Sequence, residues 1–128
     1  MERKSDTKRI GALGEKHVAS LLKKQGCRIL GRNVHLSHKE IDIVAESATH
    51  ILFVEVKTRS TDKVNLYRPA DAVNGAKQRN LLAAAAMYLR SQLNEEQAAK
   101  QPRIDVAEVY LHEGKVERVN YIPNAVTR

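Results

Sequence analysis

Ile51-Leu52-Phe53-Val54 is apolar at every position. A strand with one wet face alternates apolar and polar residues, so an unbroken run like this requires a strand covered on both faces. The run continues directly into Glu55-Val56-Lys57-Thr58-Arg59, and a matching segment, Glu40-Ile41-Asp42-Ile43-Val44-Ala45, precedes it. The break between them, Glu46 to His50, suits the turn of an antiparallel hairpin. Alternation then puts Glu55 and Lys57 on the face of Phe53, with Val54 and Val56 on the other.

If Asp42 stands directly across from Glu55, their Cβ atoms are about 4.5–5.5 Å apart, near enough for both carboxylates to reach one hard cation. Glu40 then lies close to Lys57, and Ile41 points away with Val54 and Val56. A slip of one residue would put the two acids on opposite faces. The alternative is that these charges are the solvated faces of two amphipathic strands. The continuous apolar runs favour the first reading, because charges beside a doubly covered strand need a partner or a metal.

With 128 residues, 42% of them hydrophobic, the chain suits one domain over its whole length, with 1–9 and 124–128 as loose tails. The basic N-terminus is not followed by an apolar segment, and the longest apolar run, Leu81 to Leu89, is too short to cross a bilayer. A single cysteine, Cys27, cannot form an internal disulfide, which fits a reducing cytoplasm. The net charge of +7 favours an anionic partner, nucleic acid before membrane. Aromatics at 4% without tryptophan argue against a base-stacking platform, leaving phosphates as the main contacts.

In chain order, Ile10, Leu13, His17, Val18, Leu21 and Leu22 recur at helical spacing up to Gln25, and Gly26 supplies the stop. Glu15 falls at the edge of that apolar stripe, where it can reach a cleft over the sheet or remain a surface glutamate favoured by the helix dipole. Arg28 to Val34 reads as a strand with a bulge at Gly31, and Arg32 and Asn33 lie near its end. The histidines are isolated or in loops, so no zinc site is expected. Thr58 to Pro69 is a polar connection suited to a flap, and about 70–93 is helical, with Gly75 as a dividing point. Lys77 and Arg79 sit where a helix N-terminus attracts phosphate. Asn94 to Pro102 reads as a polar linker or a frayed helix extension ended by proline, and Arg103 to Leu111 and Lys115 to Ile122 as strands joined at His112-Glu113-Gly114. Asp105, flanked by Ile104 and Val106, is expected to pair with a neighbouring Arg or Lys.

The order helix, three strands, helix, two strands, with the Glu40 to Arg59 signature inside it, resembles the restriction-endonuclease-like PD-(D/E)XK nucleases. It is more closely similar to the YraN-like bacterial family, related to archaeal Holliday-junction resolvases. The resemblance rests on Gly11-Ala12-Leu13-Gly14-Glu15, Arg32-Asn33, Glu40-Ile41-Asp42, Phe53-Val54-Glu55-Val56-Lys57-Thr58-Arg59, Lys77 and Arg103-Ile104-Asp105. Lys39 departs from it, standing where the family usually has glycine.

That resemblance implies an α/β fold, a mixed β-sheet flanked by helices, with Asp42 and Glu55 as metal ligands for Mg²⁺ or Mn²⁺. It makes Lys57 the catalytic lysine, Glu15 the helix acid, and DNA, branched or otherwise structured, the substrate. The metal would polarise the scissile phosphate and acidify a water that Lys57 orients. Arg32, Arg59 and Lys77 are the expected phosphate contacts, and resolvase-like relatives imply a homodimer. A non-catalytic nucleic-acid-binding module of the same fold, or a partner-binding structural protein, remain the alternatives.

Overall fold

The computed structural model describes residues 4–61 and 75–125, with side chains from residues 8 and 78 onward in those stretches. The elements are α1 (Lys4–Lys24), β1 (Arg28–Leu36), β2 (Lys39–Glu46), β3 (His50–Ser60), α2 (Gly75–Ser91), α3 (Glu95–Ala98), β4 (Gln101–His112) and β5 (Lys115–Ile122). The strands form one five-stranded sheet in the order β1-β2-β3-β4-β5. Every pairing is antiparallel except β3 with β4, which is parallel. Parallel neighbours cannot be joined by a tight turn, and α2 lies in the connection between them. The α/β class and the main element order are those the sequence predicts.

The apolar run is central and covered on both faces. Leu52, Val54 and Val56 pack with Val18, Ala19 and Leu22 of α1, while Ile51 and Phe53 pack with Leu81, Ala84, Ala85 and Tyr88 of α2. Phe53 meets Tyr88 edge-on, with ring centroids 5.8 Å apart. Burying a side chain such as Phe53 contributes about 1.5–3 kcal/mol, so β3 with its two helical covers is the energetic centre of the domain.

Turn chemistry sets the ends. Gly26 at φ +91° closes α1 in a Schellman motif, with Cys27 N–H donating to Leu22 O and Gly26 N–H to Lys23 O. Glu113 and Gly114, both at positive φ, make the two-residue turn from β4 to β5. Asn94 caps α3 through a capping box with Gln97, so the expected linker is partly a single helical turn. The register shift in β1 falls between Ile29 and Gly31, beside the glycine expected to mark a bulge. Lys39 lies in the ladder opposite Leu36, and the left-handed position of the preceding turn is taken by Ser37.

Some boundaries differ. Helix α1 begins at Lys4 rather than Ile10, because extending a nucleated helix through polar residues costs little and needs no apolar stripe. Strand β4 begins at Gln101 and includes Pro102, whose missing N–H is tolerated because β5 pairs with β4 only from Val106. Residues 124 and 125 are held: Asn124 N–H donates to Asp105 Oδ1 and Ala125 N–H to Ile104 O. The expected flap from Thr58 starts inside β3, and beyond Thr61 it lies outside the described residues, as does the helical segment expected before Gly75.

Asp105 pairs with a neighbouring Arg as expected. It is fully buried, and its carboxylate accepts from Arg103 Nε at 2.9 Å and Nη2 at 3.0 Å, from the Tyr121 hydroxyl and from Asn124 N–H. A buried charge with this many donors is compensated in place and ties β4, β5 and the chain beyond them together.

Candidate functional site

The pairing of β2 with β3 runs from Glu46↔Ile51 to Ile43↔Val54 and goes no further. Past that point the Val56 N–H donates to Asp42 Oδ2 at 2.8 Å, a side-chain bond where a ladder bond would otherwise form. The strands therefore open around Asp42, and a cleft of about 330 Å³ occupies the gap. Its walls carry Glu15 from α1, Glu40 and Asp42 from β2, Glu55 and Lys57 from β3, and Asn80 from α2.

Glu55 stands between the other two groups. Its Oε1 lies 3.0 Å from Lys57 Nζ, and its carboxylate bonds the Asp42 carboxyl. Burial, and then the negative charge of Glu55, push the Asp42 carboxyl up to about 7, against the opposing effect of the Val56 N–H. Below about pH 7 the Asp42–Glu55 pair therefore shares a proton. Glu15 is also raised, chiefly by burial and further by the charges of Glu40 and Glu55; Arg32 and a hydrogen bond from the Asn33 side chain oppose this.

The structure thus brings Glu15, Asp42, Glu55 and Lys57 to one cleft. Glu40 joins them at the mouth, exposed. Ile41 does not lie with Val54 and Val56: it packs in the α2-side cluster with Phe53 and Leu81. Asn33, which faces Asp42 across the β1–β2 hairpin, has φ +51°, so the ribbon is irregular at the point where the alternation of β2 changes. Arg32 is exposed on β1, and Arg59 is half-buried near the end of β3. Lys77 lies in the first turn of α2, but its side chain is outside the described residues. Asn80, which lines the cleft, and Asn33, which acts on Glu15, were not singled out as site residues, whereas Arg79, expected beside Lys77 at the start of a helix, is exposed there on α2; for Asn33 the available signal was that Asn is a residue type enriched at left-handed positions.

Among the described residues, no three His, Cys, Asp or Glu side chains converge in a ready-made metal cage. Mg²⁺ does not require one, because it is commonly held by one or two carboxylates and keeps several waters. The donor chemistry fits such an ion: two carboxyl groups share a proton that a divalent cation would replace, and Glu15 Oε1 is buried with no hydrogen-bond partner.

Residues 14–109, which contain the acids and the lysine of this cleft, match the family model described as "Uncharacterised protein family UPF0102". The chain belongs to the UPF0102 family. UPF0102 proteins similar to it include one from Caldanaerobacter subterraneus subsp. tengcongensis, 42% identical over 96% of this chain and 98% of the relative. Another, from Alkaliphilus metalliredigens, is 38% identical over 93% and 98%, and one from Clostridioides difficile is 37% identical over 94% and 98%. The UPF0102 match runs from the middle of α1 through most of β4, so the acids, the lysine and strands β2 and β3 that carry them lie inside it. Membership agrees with the YraN-like resemblance read from the motifs. No helix among the described residues is long and apolar enough to cross a membrane.

Proposed function

We propose that this UPF0102 protein is a metal-dependent nuclease that hydrolyses DNA phosphodiesters. The observation that carries the reading is the Asp42–Glu55–Lys57 group: two carboxyls in contact and an ammonium 3.0 Å from one of them, at the opening between two strands. An ion-pair network serving stability alone has no need of a second acid kept protonated near neutrality beside the first. Resemblance to PD-(D/E)XK nucleases supports the assignment, and its resolvase-like branch suggests branched or structured DNA.

In this reading Asp42 and Glu55 hold Mg²⁺ or Mn²⁺, which when bound supplies polarisation of the scissile phosphate and a more acidic water. Lys57 carries its ammonium on a flexible stem 3.0 Å from Glu55, where it can orient a water or meet charge developing on the phosphate. Glu15 lies at the wall from which it can hold a water next to the acids. Lys39 and Lys57 lining the cleft, with the exposed Arg32 acting on Glu15, put positive charge around an acidic floor, an arrangement that draws in a polyanion.

The test is a cleavage panel of linear, single-stranded, flapped and four-way DNA with Mn²⁺, using Asp42→Ala as control. Metal-dependent cleavage by the parent and none by the variant supports the reading. DNA binding without cleavage by either would favour a non-catalytic module, and neither binding nor cleavage would favour a partner-binding protein.

A further inference from the structure

Two motifs of the sequence, Gly14-Glu15 and Arg32-Asn33, converge on one side chain. Asn33 has φ +51°, a conformation uncommon for residues with a Cβ and one that Asn tolerates better than most. It lies opposite Asp42, between the pairs Arg32↔Ile43 and Val34↔Ile41. From there its side-chain amide is near enough to lower the Glu15 carboxyl, across from β1 to α1.

Gly14 acts from the backbone side. A Cβ placed there would come within 1.9 Å of Thr58 Oγ1 and 3.0 Å of Thr58 Cβ. Helix α1 therefore crosses β3 at a distance that only glycine permits, and the next residue is Glu15. Glu15 Oε1 is buried and has no hydrogen-bond partner. Buried carboxylate oxygens are normally satisfied, and one left open in a cleft shared with Asp42 and Glu55 can accept a hydrogen bond from a water held by a cation there.

We propose that Asn33 and Gly14 are positioning residues that together aim the free oxygen of Glu15 at the cation site of Asp42 and Glu55. The proposal rests on the metal reading above. Asn33 sets the rotation of the carboxylate through its side chain, and Gly14 sets its height above the sheet by letting α1 rest on Thr58. Partners that orient a ligand in this way commonly change metal affinity by about 10–100-fold when removed.

The experiment measures Mn²⁺ affinity by calorimetry, without DNA, for the parent, Glu15→Gln, Asn33→Gly and the double variant. Glycine retains the left-handed backbone and removes only the amide. Asn33→Gly is expected to weaken Mn²⁺ binding about tenfold, and the double variant to be no weaker than Glu15→Gln alone. A merely structural asparagine would lower stability yet leave affinity at the parental value, or give losses that multiply, and either result overturns the Asn33 role. Gly14→Ala is expected to weaken binding or folding, and Gly14→Ala with Thr58→Gly to restore it; failure of that rescue overturns the Gly14 role. If the parent binds no Mn²⁺, the metal reading falls by itself. Urea stability of the same four metal-free proteins then decides the clamp, with additive effects of Asn33→Gly and Glu15→Gln counting against it.

Discussion

Replacing Asp42 by Asn should stabilise the metal-free protein at neutral pH and remove part of its pH dependence. The Asp42 carboxyl goes from its ordinary value of 3.8 to about 7 on folding. The folded chain thus keeps a proton that the unfolded chain releases across that interval, and stability falls as pH rises through it. The contribution is fully present below 3.8 and is lost as pH passes 7. Each tenfold change in acidity is worth about 1.4 kcal/mol, so the descent has a ceiling of about 4 kcal/mol. Solvent reaching the cleft lowers that to roughly 2–3 kcal/mol. An Asn side chain retains an oxygen to accept the Val56 N–H and carries no charge to repel Glu55. Urea denaturation with a chelator, from about pH 4 to about pH 8, should give curves that meet at the acid end and diverge by that amount at the other. Saturating Mg²⁺ should raise the parent's stability at pH 8 and leave the Asp42→Asn protein unchanged. Parallel pH profiles for the two proteins would refute the argument that a shared proton holds Asp42 beside Glu55.

Other outcomes follow from the same geometry. Lys57→Met should retain Mn²⁺ binding, or tighten it with a positive neighbour gone, yet lose at least about a hundredfold in cleavage rate; a near-parental rate at saturating metal would make the lysine structural. Arg32→Ala and Arg59→Ala should each weaken DNA binding for all sequences alike and reduce the salt dependence by about one charge, as read from binding isotherms at several salt concentrations. A strong base preference or salt-insensitive binding would contradict phosphate recognition. Asp105→Ala should cost about 3 kcal/mol in denaturant unfolding, since Arg103, Tyr121 and the Asn124 N–H all lose their acceptor. A loss below about 1 kcal/mol would mean that water replaces the carboxylate.

Much of the architecture could be read from local pattern, because its causes are local. The unbroken Ile51 to Val54 run demanded two covers, and α1 and α2 provide them. Gly26 ends a helix because its positive φ is needed there, and the Asp42 and Glu55 motifs sit on strands whose register follows from one short turn. Helix α3 was legible in principle, since Asn94 and Gln97 have capping-box spacing. Its single turn was too short to show an apolar period.

What tertiary structure alone decided is where elements distant in sequence touch. No periodicity reveals that α1 descends onto Thr58 at Gly14, because the requirement lies in the space between a helix and a strand more than forty residues away. Alternation put Ile41 with Val54, whereas in the folded sheet it packs with Phe53, beside the irregularity at left-handed Asn33. The acidity of Asp42 is likewise a property of the assembled cleft, since neither its burial nor the charge of Glu55 acts on it in the unfolded chain. Sequence determined which residues could form strands, helices and turns, through forces that act over a few neighbouring residues. Packing determined which charges meet, because desolvation and close approach exist only once the elements are stacked.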